Sequence, residues 1–136
     1  MIRLHRTCRA VIALAVLAAC ADGVGPANVV GTYDLQTVNG APVPLAGAPA
    51  AVSGSLTLTS VGGAERRVTY RMDAQGTLRE FAATGTFCLR GSILELALRE
   101  DGNVWKPTAA IAGVTVTLRY PHPADGPNIV EAYQRR

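Results

Sequence analysis

From residue 29 onward the chain alternates apolar and polar side chains in short runs, punctuated by glycine, proline, asparagine and aspartate. Successive side chains on a strand point to opposite faces, so a period of two marks a half-buried strand. In GTYDLQTV, residues 31–38, Tyr33 and Leu35 fall on one face and Asp34 and Gln36 on the other. Asn39-Gly40 follows, a pair that accepts the backbone of a tight hairpin turn. Residues 41–52 hold Pro42, Pro44, Gly47 and Pro49 and read as a loop, because proline cannot donate to a ladder. Residues 53–60 alternate again, with Leu56 and Leu58 inward. Gly62-Gly63 turns the chain into residues 66–72, where Val68, Tyr70 and Met72 share a face. Asp73 to Gly76 is a further turn. Residues 77–83, 86–90 and 92–98 continue the pattern, broken at Gly85 and Gly91. Asp101-Gly102-Asn103 leads into residues 104–111. The cleanest alternation runs over residues 114–120, a loop (PHPADGPN) covers 121–128, and residues 129–134 close the chain.

The pattern predicts eight or nine short strands and no amphipathic helical stretch of ten residues. Such spacing specifies an all-β sandwich or barrel. A small antiparallel up-and-down barrel of about eight strands is favoured, because closure leaves no unpaired edge. Its predicted inward set is bulky: Tyr33, Leu35, Leu56, Leu58, Val68, Tyr70, Met72, Leu94, Leu96, Val116, Leu118 and Tyr120. Strands of six to eight residues and side chains of this size predict a largely filled interior.

The first 28 residues follow a different plan. Arg3, Arg6 and Arg9 precede an uncharged apolar run, Ala10 to Leu17, that is shorter than the ~20 residues a membrane span needs. A secretory signal fits this layout. Its end, Leu17-Ala18-Ala19-Cys20, resembles the lipobox of bacterial lipoproteins. The resemblance implies cleavage after residue 19 and lipid, palmitate-type acyl chains included, on Cys20. Each buried CH₂ contributes about 0.8 kcal/mol, so two or three chains give a lasting anchor. The same resemblance implies the outer membrane, because Ala21 stands in place of the aspartate linked to inner-membrane retention. The division is therefore 1–19 signal peptide, 20–28 lipidated cysteine and tether, and 29–136 barrel domain. Eight tether residues reach about 27 Å at most, which keeps the domain close to the membrane.

Removing the leader changes the charge. The precursor carries 13 basic and 10 acidic residues, but Arg3, Arg6 and Arg9 leave with the leader. The mature chain is neutral, so the basic pI of the precursor is no argument for nucleic acid as a partner. Cys8 is discarded and Cys20 takes the lipid. No intrachain disulfide is therefore expected in the mature chain, and Cys88 is expected to be buried.

The run GTYDLQTVNGAPVP, then GSLTLT, GTFCLRGSILEL and the closing Tyr133-Gln134-Arg135-Arg136, resembles the small lipocalin-like lipoproteins of Gram-negative and related bacteria. The resemblance spans nearly the whole mature chain. It implies an up-and-down β-barrel and no established activity. The opening also resembles META-domain proteins, although the glycine-cysteine-asparagine core of that family is missing.

Enzyme signatures are absent from the sequence. His122 is the only histidine after the leader, and no His/Cys/Asp cluster has metal-ligand spacing. There is no Gly-x-Ser-x-Gly and no glycine-rich run before a helix. The expectation is a protein without catalytic residues, metal or cofactor. Arg66, Arg67, Arg71 and Arg79 fall on one predicted hairpin among Glu65, Asp73 and Glu80. They form a candidate surface for anionic glycans or lipid headgroups, or else a mixed-charge outer face. Trp105, beside a turn, is a candidate contact residue, since tryptophan is enriched at binding hot spots. The expected function is a membrane-anchored, non-enzymatic binding module for an envelope protein or glycan. The alternative is carriage of a small apolar ligand inside the barrel.

Overall fold

The computed structural model describes residues 29–122 and 126–136. The predicted signal peptide, Cys20 and the tether lie outside the described residues. The strands are β1 (Gly31–Val38), β2 (Ala41–Pro42), β3 (Ala50–Leu58), β4 (Gly63–Arg71), β5 (Leu78–Arg90), β6 (Ile93–Glu100), β7 (Asn103–Trp105), β8 (Thr108–Ala112), β9 (Thr115–Tyr120) and β10 (Ile129–Arg135). Every pairing is antiparallel, and β10 pairs with β1 to close the sheet. β2 is a two-residue ladder on the end of β1, and β7 and β8 both pair with β6 as one interrupted strand. Among the described residues, eight strand positions therefore close into a ring, the all-β barrel expected from the sequence.

The antiparallel order sorts the connections into two ends. The lower end carries the turns at residues 59–62, 91–92 and 113–114, together with the entering segment 29–30. The upper end carries residues 39–49, 72–77, 101–102 and the loop after Tyr120. Asn39 and Gly40 both adopt positive φ, 51° and 80°, as a tight hairpin requires. At the lower end the Tyr33 hydroxyl donates to the Val29 carbonyl at 2.7 Å, and Arg135 Nη2 donates to the Val30 carbonyl at 2.7 Å. Val29 is buried, so the entering segment closes that end.

Several element boundaries differ from expectation, β4 starting at Gly63 and the short β2 falling inside the expected loop among them. β3 starts at Ala50, inside the expected loop, because Ala50 and Ala51 are small and fully covered. β7 and β8 divide the expected strand 104–111 at Lys106-Pro107, where the proline lacks a donor. β5 runs unbroken through Gly85 for 13 residues. Glycine is needed there for proximity: a Cβ at position 85 would lie 1.8 Å from the Ala97 carbonyl oxygen of β6.

The core fills the barrel. Tyr33, Leu56, Val68, Ala83, Leu98, Val116, Leu118 and Tyr133 are all 0% exposed. A side chain lining a water-sized void would present accessible surface to it, so none of these eight lines such a void. Met72 departs from the predicted inward set. It lies beyond the end of β4 and is 36% exposed.

Candidate functional site

A polar cluster crosses this apolar interior. On β4 the alternation that turns Val68 and Tyr70 inward also turns Arg66 inward, and it is only 4% exposed. On β10 the same parity places Glu131 and Tyr133 inside, with Glu131 1% exposed. Tyr120 enters from the end of β9, and Trp105 from β7 opposite the buried Leu98.

The hydrogen bonds are dense. Arg66 Nε donates to Glu131 Oε2 at 2.9 Å and Nη2 donates to Oε1 at 2.5 Å, a two-point contact that matches the planar guanidinium to the carboxylate. The Tyr120 hydroxyl donates to Oε1 and the Tyr133 hydroxyl to Oε2, each at 2.6 Å. Arg66 Nη2 also reaches the Tyr120 oxygen at 3.3 Å. The guanidinium carbon lies 5.6 Å from the centre of the Trp105 ring and 5.7 Å from that of Tyr120. Those two rings meet edge to face at 5.2 Å.

Both charges persist in this dry setting. Burial pushes the Glu131 carboxyl upward, but the hydrogen bonds and charge of Arg66, with the two tyrosine donors, outweigh it and hold its pKa below the ordinary value. Burial likewise disfavours the Arg66 cation, and Glu131 more than compensates, raising its pKa. Burial and the nearby Glu131 charge push both Tyr120 and Tyr133 well above the usual tyrosine value, so each remains a protonated donor. A buried donor left unmade costs about 1–3 kcal/mol. Among the described residues, the buried Trp105 Nε1 has no hydrogen-bond partner.

The four arginines of the expected surface are not one surface. Arg66 is corrected outright: it belongs to the interior, because residues 66, 68 and 70 share a face. Arg67 is outside, ion-paired with Glu65 and, at 2.8 Å, with Glu80. Arg71 donates to the Leu45 and Gly47 carbonyls at 3.3 and 3.1 Å and so holds the upper loop. Arg79 stands on the upper rim, 4.8 Å over the ring of Phe81, which meets Tyr70 edge to face at 5.6 Å. Trp105, by contrast, is brought directly beside Arg66. Glu131, Tyr120 and Tyr133 had no place in the site read from sequence; parity along residues 129–133 was the available signal.

On the outside, a hollow between β1, β3 and β4 includes Asp34, Ser55, Arg67, Thr69, Glu80 and Arg136. Arg136 pairs with Asp34 there at 2.9 Å, so the charges balance. A second hollow, lined by Cys88, Glu95, Lys106 and Thr108 among others, lies along β5, β6 and the start of β8. Cys88 is half-buried, where a buried side chain was expected. Among the described residues, no group of three or more His, Cys, Asp or Glu could hold a metal ion.

No protein-family model and no curated protein matches the chain. Among solved structures, the crystal structure of the wild-type fluorescent protein UnaG is similar at 13% identity with a TM-score of 0.42. The match covers 79% of this chain and 96% of that one. The class defined by the strand pairing itself is a small closed antiparallel β-barrel with a packed interior and an internal ion-pair network.

Proposed function

We propose that the protein is an envelope lipoprotein, held at the outer membrane by lipid on Cys20, whose barrel is a non-enzymatic binding module. Its partner is an envelope protein or glycan, met by the outer surface and rim of the barrel. The observation that favours surface over lumen is the packed core, in which eight inward side chains have no accessible surface at all. The mixed-charge hollow around Arg67, Thr69 and Glu80 suits polar groups such as sugar hydroxyls. Deep carriage of an apolar ligand would require these side chains to move apart.

The anchor rests on the charged leader and the Leu-Ala-Ala-Cys sequence. Cells carrying wild type or Cys20→Ser are labelled with an alkyne fatty acid and fractionated. Label on wild type alone, with the variant released by washing, supports the reading. An unlabelled wild type, with an intact mass that retains residues 1–19, refutes it.

A further inference from the structure

The two ends of the barrel differ in charge. Met72, Leu78 and Val104, exposed at the upper end, each stand beside a charged residue. Met72 lies between Arg71 and Asp73, Leu78 faces Arg71 across the ladder, and Val104 faces Arg99. The lower turns, residues 59–62, 91–92 and 113–114, contain no charged residue, and two of them present a valine at the tip. Val61 is 89% exposed and Val114 52%, while Ile93, 57% exposed, follows the third turn on the outer wall.

Both tips are fixed in place. Gly62 N–H donates to the Thr59 carbonyl at 3.1 Å, and Thr59 Oγ1 accepts from Gly63 N–H at 2.9 Å. The Gly62 carbonyl accepts from Phe87 N–H at 2.9 Å, which fastens this turn to β5. Val114 follows Gly113, φ 59°, in a two-residue turn, and its carbonyl accepts from Arg135 N–H at 2.8 Å. Little backbone entropy is left to lose when something covers these side chains.

Strand order decides the shape of the cover. Val61, between β3 and β4, lies across the ring from Val114, between β8 and β9, and the turn between β5 and β6 stands midway. Tips on opposite sides of a ring are met together by a flat surface, not by a small ligand or a single peptide strand. The chain supplies that surface at this end. Val29 and Val30 are fastened there, and only eight tether residues, with a reach of about 27 Å, separate Val29 from Cys20. Strands of eight or nine residues make the barrel itself roughly 25 Å tall, so the tether would be spent before the upper end met the membrane. At strand ends on the lower side stand Arg90, Arg135 and Arg136, whose long apolar stems let a cation rest among lipid phosphates.

We propose that the lower end of the barrel seats on the bilayer, with Val61 and Val114 inserted just beneath the headgroups. The proposal rests on the Cys20 anchor and deepens it by fixing which way the barrel faces. The upper rim is then left free for the partner.

Methyl-labelled full-length wild type is purified from membranes, its mass is recorded, and it is placed in nanodiscs of phosphatidylethanolamine and phosphatidylglycerol. One added lipid carries a doxyl spin label high on its acyl chain. Methyl resonances of Val61, Val114 and Ile93 should broaden about tenfold more than those of Leu78 and Val104, given a burial depth of about 5–10 Å for interfacial groups. The tether alone would bring this end near the membrane, so the anchored double variant Val61→Asp with Val114→Asp separates the two causes. Broadening at Ile93 should fall severalfold in it, and Val61→Thr with Val114→Thr, of nearly unchanged shape, should give a smaller fall if the aspartates disturb the fold. Unchanged broadening at Ile93 in the variants, or equal broadening at the two ends of wild type, would overturn the seating. A wild-type mass without lipid refutes the anchor alone. The chain is then added to the same nanodiscs, where broadening confined to Val61, Val114 and Ile93 supports the seating and its absence overturns it.

Discussion

Arg66 and Glu131, 65 positions apart in sequence, meet inside the barrel at 2.5 and 2.9 Å and join the fourth strand to the last. The pair ties opposite parts of the chain across the lumen, and the tyrosine hydroxyls complete the carboxylate's hydrogen bonds. Desolvating two charges is costly, so the pair is weak evidence for added stability; breaking it is another matter. Glu131→Gln leaves a buried guanidinium without its countercharge. The expected loss is about 3–5 kcal/mol, read as a fall in the urea midpoint. The double variant Arg66→Met with Glu131→Leu, apolar and of similar volume, should recover most of it. A single variant as stable as wild type would mean the pair is open to water in solution.

The same carboxylate sets an acid limit. Glu131 has a folded-state pKa lowered from 4.5, chiefly because Arg66 outweighs the opposing effect of burial. A group lowered on folding adds stability that is present above its unfolded value. That stability is lost as pH falls from about 4.5 through the lowered folded-state value. Denaturation midpoints should therefore be flat in Glu131 through neutral pH and decline below the ordinary glutamate range. In the Arg66→Met with Glu131→Leu variant this part of the decline should vanish. An unchanged acid slope in that variant would assign the loss to other carboxylates.

Gly85 carries a sharper constraint. Its hypothetical Cβ meets the Ala97 carbonyl oxygen at 1.8 Å, a backbone atom that cannot swing aside. Gly85→Ala should thus cost 3 kcal/mol or about that, the upper range for overpacking. Gly76→Ala is the control, at a turn with φ of +86° and nothing within 4 Å of its Cβ. Its penalty is conformational only, about 1 kcal/mol, and thermal unfolding of both separates proximity from backbone freedom.

Period-two alternation made the strands legible, because burial on one face of a sheet writes itself into sequence, whereas closure was chosen over a sandwich on the separate ground that it leaves no unpaired edge. Gly85 was misread as a break, since nothing local distinguishes a glycine that admits a neighbouring backbone from one that ends a strand. Arg66 is instructive in the opposite way. Its parity with Val68 and Tyr70 was visible, but a charged side chain is ordinarily solvated, and only its partner makes burial tolerable. That partner lies on the closing strand, and pairing across the barrel leaves no mark near either residue. The unsatisfied Trp105 nitrogen is likewise a fact of three-dimensional packing.

The packed interior makes a last prediction that separates a filled barrel from a hollow one. Leu118 on β9 and Val116 beside it are both 0% exposed, whereas Val61 on the lower β3–β4 turn is 89% exposed. If the lumen is filled, Leu118→Ala removes contacts on every side and leaves a cavity that the rigid sheet cannot close. Roughly 2–5 kcal/mol should be lost, against at most about 0.5 kcal/mol for Val61→Ala. Such a cavity, lined by apolar groups and too dry for water, should take up xenon or benzene. The wild type should not bind either gas or solvent at that position. Xenon titration followed by methyl resonances of Leu56 and Val116 reads this directly, because any occupant would perturb the buried groups lining the void. A small loss for Leu118→Ala, with equal xenon shifts in wild type and variant, would mean that the lumen is already hollow. Carriage inside the barrel would then displace the surface-binding reading.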